Sequence, residues 1–316
     1  MAQYLLPPET KLVQSGFSVG ICAADRATNL KSLLSLIEQE SYPQSVVLRK
    51  IIVVASGCEP ATLSYLKADY SGRVILIREP ERRGKSEAIN QIIDQFDGDF
   101  LVLVNSDAMP EKGAISRLLK DIARDDEIGV ISASPQLNPR SGLTGAVLSL
   151  IWGVHNQCLL TLNANNQNNH CCDELVVVRT KALQKLPKGT VNDGAFLAGS
   201  AYQAGYTIRF SNDARVFIDV PTTIWQLMQQ RRRILYGHMQ ILRSVGQSPR
   251  TVESLLADNP TLSLSILVKT LARSPLLLAA LPVAIVSEAM STLLALFDTL
   301  SSNTKHAKWV RFGKRG

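Results

Sequence analysis

Along the first two thirds of the chain, short runs of apolar residues alternate with longer stretches whose apolar positions recur every three or four residues. Phe17–Cys22 reads as a strand, and after Asp25–Asn29 it is followed by Leu30, Leu33, Leu34 and Ile37 at helical spacing. Lys50–Val54 opens the same pattern again, ending in Ala55, Ser56, Gly57 and Cys58 before a helix from about Pro60 to Ala68. Val74–Ile77 and a helix over Ser86–Phe96 make the third unit. Phe100–Pro110 with a helix over Glu111–Ala123 makes the fourth, and Ile128–Ser132 adds a further strand. Strand and helix in alternation predict an α/β fold with a mostly parallel sheet and right-handed crossovers.

Downstream the pattern loosens. Leu143–Leu162 predicts one long helix, and Asn163–Asn169 is a polar, low-complexity run expected to form a mobile loop. The segment 174–179 predicts a strand, Lys181–Leu186 a short helix, and Gly205–Val216 a strand pair. A helix carrying Gln229, Gln230, Arg231, Arg232 and Arg233 follows, with the three arginines pointing around much of a turn. Arg231 and Arg232 read as a solvated or lipid-facing basic stripe.

Two places in this pattern carry chemistry on their own terms. Phe100–Val104 is apolar throughout, as in a strand buried on both faces, and it ends abruptly in Asn105, Ser106 and Asp107. Ligands of open α/β sheets collect outside the carboxyl ends of strands, where a carboxylate with an amide and a hydroxyl can hold a hydrated divalent cation and a phosphate. The same three residues also suit a helix cap, with Ser106 or Asp107 capping the helix that follows. Further back, Arg82, Arg83, Gly84 and Lys85 precede a helix start, which places a cation beside free N–H groups and makes an anion site.

Taken together, Ser18–Leu30, Lys50–Cys58, Gly84–Asn90, Phe100–Pro110, Val191–Leu197 and Gln229–Gly237 stand in the order and approximate spacing of a known family. Over roughly residues 15–240 the chain resembles the family-2 glycosyltransferases with a GT-A fold, which generally invert the anomeric centre and include membrane enzymes related to cellulose and hyaluronan synthases. The resemblance implies a GT-A-like, Rossmann-like sheet flanked by helices, and transfer of a sugar from a nucleotide-diphosphate donor. It assigns Ala24, Asp25, Ser56, Lys85, Asn90, Asn105 and Ser106 to the donor nucleotide and Asp107 to a Mg²⁺ or Mn²⁺ ion. Gln230 and Arg233 fall to the acceptor and diphosphate side, and Asp193 to the general base that takes the proton of the acceptor hydroxyl.

The chain departs from the family pattern at identifiable positions. Asn105 replaces the first acid of the D-x-D metal motif, and Asp25-Arg26 stands where an Asn-Glu pair is usual. Ala55 and Ser56 fall where a base-binding Asp-Asp-x-Ser is common, and Asn192-Asp193 where the family has Glu-Asp. Ile234 replaces the tryptophan that stacks beneath the acceptor sugar in processive synthases, which argues for transfer of a single sugar. Helix caps remain the structural alternative for Asp25 or Thr28 and for Asp193. The losses at Asn105, Ala55 and Ile234 leave a catalytically silent membrane module of a glycan synthesis or export complex as the alternative to an enzyme.

Composition adds the remaining expectations. With 46% hydrophobic and 19% charged residues, the chain is apolar for a soluble enzyme, and the excess lies toward the C-terminus. The net charge of +7 points to anionic partners. No zinc-finger spacing or RNA-binding aromatic signature is present and aromatics are only 6%, so nucleic acid is not expected. Five cysteines, an odd number, read as reduced cytosolic thiols, and the first residues show no secretory leader.

From Pro260 the character changes: Pro275–Phe297 runs 23 residues with Glu288 as its only charge. Basic residues flank it on both sides, Lys269 and Arg273 before and Lys305, Lys308, Arg311, Lys314 and Arg315 after. Both ends then belong on the cytoplasmic side, as in a re-entrant hairpin or interfacial helices. The expected organisation is an N-terminal extension over 1–14, a GT-A domain over 15–240, and membrane-associated helices with a basic tail over 241–316. The expected setting is the cell membrane, with the catalytic domain cytoplasmic and a lipid-linked or envelope glycan as acceptor.

Overall fold

The computed structural model describes residues 14–301 and 306, apart from 26, 28, 139 and 140. The expected cap at Thr28, the Arg26 contact and the basic tail therefore lie outside the described residues. Three strand–helix units open the chain: β1 (Ser15–Ala24) and α1 (Leu30–Gln39), β2 (Val46–Ser56) and α2 (Pro60–Tyr70), β3 (Ile75–Glu79) and α3 (Lys85–Gln95). They lead to β4 (Phe100–Asn105), a two-residue β5 (Met109–Pro110), α4 (Ala114–Arg124), β6 (Ile128–Leu137) and α5 (Gly142–Ala164). Then follow β7 (Leu175–Arg179), α6 (Asp193–Gln203), β8 (Thr207–Ile218) and α7 (Ile224–Val245). The chain closes with α8 (Val252–Asp258), α9 (Pro260–Arg273), a 3-10 turn over Pro275–Ala280 and α10 (Leu281–Leu300).

The eight strands form one sheet in the order β3-β2-β1-β4-β7-β6-β8-β5. The first four are parallel, as their alternation with helices predicts. β7 then runs antiparallel to both β4 and β6, so the sheet is mixed. This reversal has a consequence for function, because it brings the start of β7 to the carboxyl end of β4: the Asn105 N–H donates to the Glu174 carbonyl at 3.1 Å.

β4 is buried on both faces, as its unbroken apolar run requires. Phe100, Val102 and Val104 point into the core beneath α1 and α4, while Leu101 and Leu103 point into the core beneath α3 and α6. Each such side chain contributes roughly 1.5–3 kcal/mol by leaving water. Gly20 in β1 lets α3 lie close, since a Cβ there would stand 2.5 Å from Ile92.

Several sequence expectations change. The chain after β4 does not enter a helix directly: α4 begins at Ala114, behind Gly113 at φ +83°, so neither Ser106 nor Asp107 is a helix cap. The Glu40 side chain, on the turn after α1, accepts from the Ser116 N–H at 2.7 Å instead. The strand pair expected over Gly205–Val216 is a single strand, β8, whose register against β6 jumps from Ser211 to Arg215 over one residue of its partner. It reads as two strands because that irregularity interrupts the apolar alternation. Only one 3-10 turn, Thr180–Ala182, forms where a short helix is expected over Lys181–Leu186.

The polar run Asn163–Asn169 is held in place and is not a mobile loop. Asn163 Oδ1 accepts from the Phe210 N–H, Asn166 Oδ1 from Arg209, and Asn169 bonds both the Ser248 carbonyl and the Arg250 N–H. Asn168, Asn169 and His170 are buried. Side-chain amides serve here as backbone surrogates, which composition alone does not reveal.

α10 packs along α7 by a face of small and polar residues. Ala284, Ser287, Ser291, Ala295 and Asp298 are buried at helical spacing, and Ser291 Oγ donates to the Met228 carbonyl. The arginines expected as a basic stripe are instead paired across this seam. Arg231 Nε meets Glu288 Oε1 and Arg231 Nη2 meets Glu253 Oε1, both at 2.7 Å, while Arg232 Nε meets the fully buried Asp298 Oδ2 at 2.5 Å. The outer face of α10 is the apolar one: Leu293 is 61% and Phe297 67% exposed, with Ile285, Val286 and Leu300 beside them. Leu264 and Val268 of α9 and Leu276 of the 3-10 turn are exposed as well.

Candidate active site

A pocket of about 230 Å³ opens at the carboxyl ends of β1, β2 and β4. Each element delivers one part of it. β1 ends in Ala24, which pairs with Ser56 at the end of β2, and both residues line the floor. The turn after β3 brings Arg82, Gly84 and Lys85, with Gly84 at φ +117°, a conformation that an L side chain rarely adopts. α3 starts immediately behind it with no side chain capping its N-terminus, so N–H groups of its first turn face this end of the molecule.

The turn after β4 supplies Asn105, Ser106 and Asp107. Ser106 Oγ is buried without a hydrogen-bond partner, a polar group prepared for something the pocket would hold. The start of α6 supplies Asp193, with Asn192 as the N-cap: its Oδ1 accepts from the Ala195 N–H at 3.0 Å. The capping role considered for Asp193 thus falls to its neighbour, and the Asp193 carboxylate turns into the pocket. α7 adds Gln230, Arg233 and Ile234. Arg233 Nη2 donates to the Val191 carbonyl at 3.0 Å, steadying the turn before Asp193. Gly237 on the same helix lies against that turn, since a Cβ there would stand 2.7 Å from Asn192 Cβ and 3.2 Å from its backbone nitrogen.

Nine of the residues singled out in the sequence converge here: Ala24, Ser56, Lys85, Asn105, Ser106, Asp107, Asp193, Gln230 and Arg233. Two do not line the pocket. Asn90 bonds both the Leu186 N–H and its carbonyl at 2.8 Å, acting as a strut for the 186 turn. Asp25, in the left-handed region at φ +55°, pairs with Arg82 at 3.2 Å at the pocket margin.

Asp173 and Glu174 were missed, and both line the pocket. Lys85 Nζ lies 2.5 Å from Asp173 Oδ2 and 2.8 Å from Asp193 Oδ2. Burial raises the Asp193 carboxyl, Lys85 opposes and Asp173 adds to the rise, and the outcome is a pKa of about 6. Burial also weighs on the Asp173 charge, but Lys85 outweighs it and holds that carboxyl below its usual range. Burial, with Asp173 beside it, pushes Glu174 up to about 8, so it is protonated at neutral pH. The only sequence signal for this pair is two acids immediately before an apolar run, which becomes informative once β7 is known to run antiparallel to β4.

A second, smaller cavity of about 100 Å³ adjoins the first and shares Asp173, Glu174, Gln230 and Ile234 with it. Its walls are Trp152, Leu159, Leu227 and three histidines, His155, His170 and His238, whose rings meet edge to face at 5.9 and 5.2 Å. Burial lowers the pKa of His170 and His238, so both are uncharged at neutral pH.

The comparisons with known proteins agree with this architecture. Residues 15–237 match the family described as "Glycosyltransferase like family 2", and residues 173–302 match "Glycosyl transferase family group 2". The poly-β-1,6-N-acetyl-D-glucosamine synthase of Staphylococcus aureus is 20% identical over 209 residues, 64% of this chain and 51% of that protein. The Staphylococcus epidermidis synthase is 18% identical over 244 residues, 75% of this chain and 58% of its own. The chain thus spans about half the length of the curated relatives it matches. Among solved structures, the mannosyltransferase PcManGT from Pyrobaculum calidifontis, in complex with GDP-Man and Mn²⁺, superposes with a TM-score of 0.62 at 17% identity, covering 92% of this chain and 88% of that one. A mycobacterial protein superposes with a TM-score of 0.52, also at 17% identity, over 76% of this chain and 80% of that one. With a matched region covering most of its length and a GT-A-like sheet, the chain belongs to the family-2-like glycosyltransferases.

Proposed function

We propose that this chain is a membrane-associated, inverting transferase that moves one glycosyl group from a nucleoside-diphosphate sugar to a hydroxyl of a glycan or lipid-linked acceptor. The observation that carries this reading is the convergence of Lys85, Asp107, Asp193 and Arg233 on one pocket at the carboxyl edge of the sheet. The uncapped start of α3 and Lys85 suit a diphosphate, since both concentrate positive potential where an anion would lie.

Asp193 would accept the proton of the acceptor hydroxyl as its oxygen bonds to the anomeric carbon. The bond from that carbon to the diphosphate oxygen breaks on the opposite face, and the diphosphate leaves with the electron pair. One displacement from the far face inverts the centre. A base with a pKa of about 6 is mostly ionised at neutral pH and still strong enough to assist the transfer.

A divalent cation fits the residues present. Among the described residues no group of three or more His, Cys, Asp or Glu side chains is arranged to enclose a metal. Asp107 and the Asn105 amide offer hard oxygen ligands, and the unpartnered Ser106 Oγ lies between them in sequence. That set suits Mg²⁺ or Mn²⁺ taking its remaining ligands from phosphate oxygens and water. When bound, the ion would neutralise charge developing on the leaving diphosphate.

The membrane part of the reading rests on α10, which turns small residues and acids inward and large apolar residues outward. A helix partnered only by solvent would do the reverse. Lipid beside α9 and α10 would cover this face, as at a cell membrane, and a cytoplasmic catalytic domain follows from the basic residues flanking the apolar stretch in the sequence.

The experiment is a screen of purified protein in detergent with UDP- and GDP-sugars, Mg²⁺ or Mn²⁺, and oligosaccharide acceptors. The expected result is a metal-dependent rise in melting temperature with one donor, and a product one sugar longer than the acceptor. Absence of both would overturn the enzymatic reading, and a ladder of lengthening products would replace single transfer with polymerisation, the activity named for the staphylococcal relatives.

A further inference from the structure

Lys85 bonds two carboxylates at once, and one of them is the base. The bond to Asp193 Oδ2, at 2.8 Å, stabilises the ionised carboxylate and so lowers its affinity for the acceptor proton. The second bond, at 2.5 Å to Asp173 Oδ2, comes from a residue with no part in the reading above. The Lys85 and Asp173 side chains keep 24% and 33% exposure, so both stand at the pocket wall, whereas the Asp193 side chain keeps only 6%.

The charged and titratable groups around Asp193 come from every element packed on it. Lys85 approaches from the start of α3, Asp173 from the segment before β7, and Arg233 from α7. The thiols of Cys22 in β1 and of Cys171 lie behind, and protonated Glu174 adjoins Asp173. Burial raises both thiols, which stay neutral, so the balance around Asp193 is struck by two cations and one further carboxylate.

We propose that Lys85 is a latch on Asp193 that the donor's diphosphate opens, and that Asp173 is the positioning residue that keeps the latch balanced between closed and open. This rests on the glycosyltransferase reading. An ammonium has three N–H donors and no fixed plane, so it can exchange one carboxylate for a phosphate oxygen without leaving the pocket. A diphosphate carries more negative charge than either aspartate and would draw Lys85 toward itself. Asp193 then loses its hydrogen bond while the Asp173 carboxylate stays close, and a like charge without its counter-ion raises proton affinity. The base is thereby muted until the leaving group is seated, which orders donor before acceptor. Without Asp173, Lys85 would hold Asp193 alone and release it less readily.

The test needs no turnover. In the full chain carrying ¹³C-labelled aspartate carboxyls, the Asp193 signal is assigned by its loss in Asp193→Asn. It is then titrated with and without UDP or GDP and Mg²⁺, with uridine and guanosine as phosphate-free controls. The titration midpoint should rise by about one pH unit on binding of the nucleoside diphosphate and stay in place with the nucleoside. Asp173→Asn should lower the midpoint in both states and shrink the rise. A nucleotide that binds, by shifts elsewhere in the spectrum, and leaves the Asp193 midpoint in place would overturn the latch. An unmoved midpoint in folded Asp173→Asn would remove Asp173 from it. Failure of both nucleotides to bind would overturn the donor reading and the latch with it.

Discussion

Arg231 Nε lies 2.7 Å from Glu288 Oε1, joining α7 to α10 across 57 residues of chain. The same guanidinium bonds Glu253 of α8, so one side chain gathers three helices. Its pair is mostly buried, and removing one partner leaves an uncompensated charge in a poorly solvated place. Glu288→Ala should destabilise the protein by about 2 kcal/mol, below the full cost of an orphaned buried charge because Glu253 remains. Arg231→Met combined with Glu253→Met and Glu288→Met, which leaves none of the three charges unpaired, should recover much of that loss. Denaturant unfolding of the single and combined variants in detergent measures both, and additive losses would show that the three side chains are not coupled.

Asp107 is half-buried in the turn after β4, and asparagine has nearly its shape, so the substitution should spare the fold. Asp107→Asn should weaken Mg²⁺- or Mn²⁺-dependent nucleotide binding at least tenfold, leaving metal-independent binding and melting temperature unchanged. Asn105→Asp should tighten the metal by restoring a second carboxylate. Calorimetric titration of nucleoside diphosphate at several metal concentrations distinguishes these outcomes, and an unaltered metal dependence in Asp107→Asn would relocate the ion.

The rate should depend on pH through Asp193. Its carboxyl is raised to about 6, chiefly by burial, and it can take a proton only when ionised. The kcat profile should therefore carry an acid limb, falling about tenfold per pH unit below the midpoint of the donor-bound enzyme, which the latch places about one pH unit above that of the free enzyme. Asp193→Asn should cost roughly 10²–10⁴-fold in kcat, with donor affinity kept. A pH profile of kcat without an acid limb would assign the proton to another group.

The outer face of α10 can be tested without touching its packing. Leu293→Glu with Phe297→Glu places two charges on an exposed apolar surface and meets none of the inward residues. The double variant should keep its melting temperature and lose most of its co-sedimentation with anionic vesicles. Retained binding would move the membrane contact elsewhere.

The first half of the fold is legible in the chain because its strands and helices are local and regular. Gly84, Lys85 and the β4 terminus could be placed at one sheet edge from alternation alone. What escaped depended on partners distant in sequence. Asp173 gains meaning only from the direction of β7, and nothing in an apolar pentapeptide states which way it runs. Arg231 and Arg232 read as solvated because Glu288 and Asp298 lie far downstream in a helix that otherwise looks uniformly apolar. The asparagine run read as mobile because amide-to-backbone bonds have no periodic signature.

Gly237 turns α7 and the segment bearing Asp193 into a single mechanical piece, since nothing bulkier than hydrogen separates them. α10 is locked to the same helix by Arg231 and Arg232. Were α10 seated on lipid as proposed, this rigid link would make the protein a ruler. Asp193 would stand at a set height above the bilayer, and an acceptor anchored there would be selected by how far its hydroxyl reaches.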